Sequence, residues 1–230
     1  MAQLLTWLEV DSNVQSGMSN RCPNETVRLE AINNEVRNIN TVYDVETAIR
    51  TKAILVIPDG TPYLVSSLIT DDDVKKIAEI YLDDDEYGNE YVWLEEDEFR
   101  RRNRSGYQEN AYTTYWEDGK MYLDINSWGG EATATDTTIK YYSTFLALNG
   151  SNVLISEVLA EADCKILLPS RFKDLVVTGA KMRLLWPSIG EDGNNQYAIE
   201  SNKYKSELKK LGLDKVARAI KKTIRKVKLR

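Results

Sequence analysis

The spacing of the apolar residues changes twice along this chain, and that change constrains the fold more than any other feature. From about Asn24 to Ile49, Val27, Ala31, Ile32, Val36, Ile39, Tyr43, Val45 and Ile49 recur at helical intervals, the mark of a helix with one buried face. Asn24 stands where its side chain can cap the open amides at the helix start. Ahead of it, Leu4, Leu5, Trp7 and Leu8 form a shorter apolar cluster, read as another helical turn on the same core. From Ala53 the period shortens, and "AILVIPDGTPYLVS" reads as strand, Pro/Gly turn and strand. "VKKIAEIYLDDD" and "NEYVWLEEDEF" supply two further strand-like runs, followed by a helical or irregular arm. "AYTTYWEDGKMYLDI" is the clearest hairpin signal, because Asp118-Gly119 suits a tight turn between two aromatic strands. "TTIKYYSTFLAL" adds a strand rich in β-branched and aromatic residues.

Helical spacing returns after Pro169, with Phe172, Leu175, Val176, Gly179, Met182 and Trp186 on one face. A further helix is expected from about Asn195 to Leu211, with Tyr197, Tyr204, Leu208 and Leu211 inward and Gly212 as its stop. The expected fold class is α+β. Terminal helices in residues 1–50 and 151–212 pack as a small helical bundle, residues 51–150 form a central β-rich insertion, and 213–230 form a basic C-terminal arm.

No apolar run approaches the roughly 20 residues needed to span a bilayer, so no membrane is expected. The N-terminal residues lack the basic region and cleavage site of a signal peptide. A cytosol-like compartment, or a particle assembled in one, follows as an expectation. There Cys22 and Cys164, which have no CxxC partner, are expected as unpaired thiols.

Charge divides the chain. Of its 30 basic and 36 acidic side chains, twelve and two respectively lie from Lys203 onward, which leaves 18 basic against 34 acidic in residues 1–202. The net of -6 is therefore a strongly acidic body joined to a strongly basic end. In that end Val216, Ile220, Ile224 and Val227 make one narrow apolar stripe at helical spacing, with Arg218, Lys221, Lys222, Arg225, Lys226 and Lys228 around it. A helix so short and self-repelling is marginal alone in water. Burying four aliphatic side chains contributes on the order of 6–12 kcal/mol gross, before ordering costs. The segment is expected to bind a protein partner offering an apolar groove with an acidic rim.

Bond-making chemistry finds little support. Histidine is absent, which removes the commonest general base and the most frequent zinc ligand. Asp71-Asp72-Asp73, Asp83 to Glu86 and Glu95-Glu96-Asp97 are the residue type that Mg²⁺ and Ca²⁺ favour. Consecutive residues on a strand point to opposite faces, however, and cannot converge on one ion. The stretch from Asp83 starts like a calcium loop but places Tyr87 and Leu94 at ligand positions. No enzyme activity, metal or cofactor is expected. Arg100, Arg101, Arg102 and Arg104 could meet phosphates, but the neighbouring Glu95, Glu96, Asp97 and Glu98 favour local pairing or an intersubunit contact. The alternative function is a nucleic acid-binding accessory protein that uses the basic C-terminal segment.

Several stretches, taken in order, resemble the head–tail connector or adaptor proteins of tailed bacteriophages, including the tail tubular type. These are "LEAINNEVRNIN", "ILVIPDGTPYLVSS", "VKKIAEIYL", "LEEDEFRRRNR", "YTTYWEDGKMYLDI", "TIKYY" and "LPSRFKDLVVTGAKMRLLWPSIGEDGNNQYAIESNKYKSELKKL". The tryptophan-containing "NSWGGEATATD" and the cationic segment after Gly212 are not fixed parts of that pattern. The resemblance implies a structural virion neck protein without an active site. It implies a homo-dodecameric ring joining the portal protein to the tail, nozzle or stopper protein, in the virion after assembly in the host cytoplasm. DNA would pass through that ring without specific binding, and the acidic body would repel its phosphates.

Overall fold

A computed structural model describes residues 3–18, 22–70, 73–82, 91–104, 110–126, 135–186 and 193–213. In chain order these form β1 (Leu4–Thr6), α1 (Trp7–Met18), α2 (Glu25–Val42), β2 (Ile49–Val56), β3 (Tyr63–Leu64) and α3 (Val65–Leu68). Next come β4 (Val74–Leu82), β5 (Val92–Trp93), α4 (Glu96–Arg104), β6 (Ala111–Glu117), β7 (Lys120–Asn126) and β8 (Thr135–Ser143). The chain continues through β9 (Ala147–Leu148), β10 (Leu154–Ile155), β11 (Lys165–Pro169), α5 (Lys173–Leu185) and α6 (Gly193–Lys210). The fold is α+β, divided into one unit from residues 1–48 and 145–213 and another from residues 49–144.

In the first unit, α5 contacts α1, α2 and α6. Its helices are not alone: an antiparallel sheet in the order β1-β11-β9-β10 belongs to the same unit. Leu5, Val10, Ile32, Ile39, Ile166 and Val176 are all buried in one core. The apolar cluster at the N-terminus, expected as a helical turn, splits between β1 and α1. Thr6 marks the break, because its hydroxyl accepts from the Glu9 amide at 3.3 Å while the Glu9 carboxylate accepts from the Thr6 amide at 3.2 Å. This reciprocal cap starts a helix at Trp7 and leaves Leu4 and Leu5 to pair with β11.

Asn24 caps α2 by accepting from the Val27 amide at 3.0 Å. The helix ends at Val42 rather than Ile49, since Tyr43 is already extended and a 3-10 turn covers Glu46–Ala48. Tyr43 and Val45 stay buried without being helical, so their spacing mimicked a longer helix. Two polar devices fix α2 in place. Asp11 of α1 takes a bidentate pair from Arg28 at 2.7 and 3.0 Å, almost wholly out of water. Asn33 acts as a peptide unit: its amide donates to the Val158 carbonyl at 3.0 Å, and its carbonyl accepts from the Val158 amide at 2.7 Å. That carries the loop after β10 onto the helix.

In the second unit, β2-β8-β4 form one antiparallel sheet, and β3-β7-β6-β5 form another in which only the β5–β6 pairing is parallel. Ile54, Ile80 and Ile139 of the first sheet share a core with Tyr112, Leu123 and Ile125 of the second. The β6–β7 hairpin closes through Asp118 and Gly119 at φ 49° and 74°, the paired positive angles that a two-residue turn matching strand twist requires. Among the described residues of "NEYVWLEEDEF", only Val92–Trp93 is strand. Its acidic residues open α4, where their charge suits the helix N-terminus. Residues 145–150, expected in the insertion, contribute β9 to the sheet of the first unit, because Ala147 pairs with Ile166.

Gly179 of α5 lies directly against Glu35 of α2. A Cβ there would stand 2.4 Å from Cδ and 2.6 Å from Cγ of Glu35. Gly179→Ala is expected to destabilise the first unit by about 1–3 kcal/mol through overpacking, read as a lower midpoint in denaturant unfolding. An unchanged midpoint would show that Glu35 can move aside.

Candidate functional site

A cleft of about 520 Å³ in the first unit opens between α2, α5 and α6. Glu35 sits on its α2 wall, 3% exposed. Arg183 Nε, one helical turn beyond Gly179 on α5, donates to it at 3.1 Å. Tyr204 Oη of α6 donates to its other oxygen at 2.7 Å. Burial pushes the Glu35 carboxyl upward, while the hydrogen bonds from Tyr204, Arg183 and Asn38 and the Arg183 charge pull it back. Burial and the adjacent Glu35 charge hold the Tyr204 hydroxyl far above its usual range, so it serves as a donor. The carboxylate is committed to its neighbours, and the group ties three helices together.

Beyond this network the cleft turns aromatic. Trp186 at the end of α5 is 64% exposed and meets Tyr197 of α6 edge-on, with ring centroids 5.6 Å apart. Met182, Asn34 and Asn38 complete the lining. Aromatic faces beside side-chain amides suit a protein segment, with apolar contact on one wall and hydrogen bonds on the other. Tyr197, Tyr204, Gly179 and Trp186 were all marked in the sequence as inward or helical-face positions; Glu35 and Arg183 were not.

The arginine arm is helical. Arg100 pairs with Glu96 at 2.6 Å and lies over the Tyr115 ring at 5.6 Å. Arg101 and Arg102 both pair with Glu98. Arg104 is exposed at the C-terminal end of α4, where a cation is favoured. Three of the four side chains thus have acidic partners on their own helix, although exposed pairs of this kind hold weakly enough to exchange. Val216, Arg218, Ile220, Lys221, Lys222, Ile224, Arg225, Lys226, Val227 and Lys228 lie outside the described residues, as do Asp71, Asp72 and Asp83 to Glu86. Among the described residues no three acidic or cysteine side chains gather as a metal site, and no helix is long and apolar enough to cross a membrane. Cys22 and Cys164 are unpaired.

The second unit holds a group that sequence spacing did not single out. Asp124 of β7 stands opposite Thr113 of β6, 6% exposed. Neither Asp124 Oδ1 nor Thr113 Oγ1 has a hydrogen-bond partner among the described residues. Alternation in "MYLDIN" puts Asp124 on the face away from Met121, Leu123 and Ile125, which would be solvated in a bare hairpin. α4 packs against β6, and Asn103 of α4 accepts from the amide of Asn126 at 2.9 Å on that same face. Burial raises the Asp124 carboxyl to about 6; Arg100 acts against this and Glu96 with it.

No protein-family model matches the chain, and no curated protein shows significant similarity to it.

A carboxyl whose folded pKa exceeds its unfolded value favours the folded state in its protonated form. The second unit should therefore lose stability as pH rises from about 4 through 6. Asp124→Asn should flatten that slope and raise stability at pH 8 by about 1–2 kcal/mol after allowance for solvent screening. Denaturant titrations at pH 4.5 and 8 measure it. Equal pH slopes for both proteins would exonerate Asp124.

Proposed function

We propose that this chain is a ring-forming adaptor of a bacteriophage neck, joining the portal protein to the tail and lining the channel through which DNA passes. The observation that carries this reading is the interlocking of stretches on which the resemblance rests. Asn33, from "AIN", is bonded on both sides to Val158. In "LPSRFKDLVVTGA", Leu168, Phe172, Leu175 and Val176 are core, and Gly179 admits Glu35. The last tyrosine of "YAIESNKY" closes on that same Glu35. An ordered set of weak motifs that solves one packing problem supports a shared architecture better than any motif alone.

In this reading, α1, α2, α5 and α6 are the packed helical core that makes the ring contacts, and Trp186 and Tyr197 offer a surface to a neighbouring protein. The β-rich unit faces the tail or the adjacent subunit, and the arginines of α4 can trade their local partners for acidic groups of that subunit. The excess of acidic side chains in residues 1–202 keeps DNA from adhering to the channel wall. Residues 214–230 anchor the subunit to the portal through apolar contacts and cationic side chains.

Removing residues 214–230 should leave a folded protein that has lost at least tenfold in affinity for portal, measured by co-sedimentation and light scattering. Retained portal binding would dismiss the anchor, and a monomeric mass for the full chain at micromolar concentration would dismiss the ring. DNA affinity that falls steeply with added salt would point to the nucleic acid-binding alternative.

A further inference from the structure

A second cleft of the first unit, about 330 Å³, lies where the described chain ends. α6 stops there in a tight C-terminal turn: the Gly212 amide donates to the Lys209 carbonyl at 3.0 Å, and Leu213 donates to Leu208 at 2.8 Å. Gly212 supplies the positive φ, 67°, that this turn needs. Leu211 and Leu213 fold back onto the core, and the Tyr43 hydroxyl reaches the Leu213 carbonyl at 3.5 Å. These contacts fix both the position and the heading of the chain at Leu213.

The apolar part of the cleft lining is made by Tyr43, Val45, Phe172, Leu211 and Leu213. Asp44 and Glu46, both exposed, line it as well. Arg171 and Lys210 stand on the cleft too, but each is set against a carboxylate, Glu46 at 4.0 Å and Glu207 at 2.6 Å. The Arg171–Glu46 pair is long and exposed, so its acid is readily shared.

We propose that this cleft receives the start of the chain's own basic segment, with Val216 and Ile220 against its apolar side chains and Lys215 and Arg218 toward Asp44 and Glu46. Reach supports the assignment. Val216 is three residues beyond Leu213 and so lies within about 11 Å of it in any conformation. A tether this short gives an effective concentration in the millimolar range, which a free partner has to match. At helical spacing Val216 and Ile220 are about 6 Å apart, a separation that fits a cleft of this size. Ile224 and Val227, with Arg225, Lys226 and Lys228, fall beyond the cleft and stay available to another protein. The segment would then have a proximal half that seats on its own subunit and a distal half that binds outward.

The proposal does not depend on the adaptor reading, and the two can fail separately. The test places Arg171→Cys and Ala217→Cys in the full chain, with Cys22→Ser to remove the other accessible thiol, and treats it with a short bismaleimide. The expected product is a bridge within one chain whose yield does not change with protein concentration. Ile220→Asp or Glu46→Lys should lower the rate of bridging about tenfold, while circular dichroism verifies that each variant is folded. A bridge between two chains would assign the cleft to another copy's segment and overturn the proposal. Bridging that is absent, or unaffected by both substitutions, would overturn it as well.

Discussion

A carboxylate taken out of water must be matched where it lies, and the first unit is arranged around one that is. Glu35 is held by an arginine from α5 and a tyrosine from α6. It reaches them only because position 179 carries no side chain. The buried charge is costly if any partner is withdrawn, so it ties helices from opposite ends of the sequence to a single arrangement. The apolar contacts of α5 supply most of the burial but could be satisfied by sliding one helix along another. A hydrogen bond of 2.7 Å from Tyr204 cannot. The aromatic cleft opens beside this contact, and Trp186 and Tyr197 line it.

The insertion of a complete β unit between α2 and β9 follows from how that unit begins and ends. Ile49, its first residue, pairs with Tyr142 on the antiparallel strand β8, which leads directly to the exit at Thr144. Chain entry and exit therefore lie side by side, as they must if one domain is to sit inside another without distorting it. The unit has its own core of residues from both sheets. Asp124 belongs to one of those sheets, in the β6–β7 hairpin.

Much of this was legible where the governing interaction is local. The Asn24 cap, the Asp118-Gly119 turn and the Gly212 stop each depend on residues within four or five positions. The two helical faces after Pro169 were readable from the 3.6-residue period. The short strands were not, since two-residue β9 and β10 have no period and exist because β11 lies beside β9. The Thr6–Glu9 cap was visible as "TWLE" but was masked by the apolar cluster around it. Nothing in the local sequence sets Glu35 and Asp124 apart from surface acids. What distinguishes them lies far away in sequence, at Gly179, Arg183 and Tyr204 for the first and in the cover of α4 for the second. Long-range burial is the term that periodicity does not carry.

The division of charge bears on assembly more than on the fold of a single chain. Within residues 1–202 the excess of carboxylates repels itself and would repel a neighbouring copy. Bringing copies together in a ring raises that cost, because each interface adds another acidic body at short range. A basic segment on a short tether offsets part of it. If its proximal cations seat on their own subunit as proposed, the distal ones are left for another protein. On the adaptor reading this gives assembly an order: subunits with their own cations held close can approach one another, while the outward-facing half still selects a partner that is acidic and grooved. A uniformly neutral chain would lose both properties. On the same reading it would associate without regard to partner, and its channel wall would no longer repel DNA.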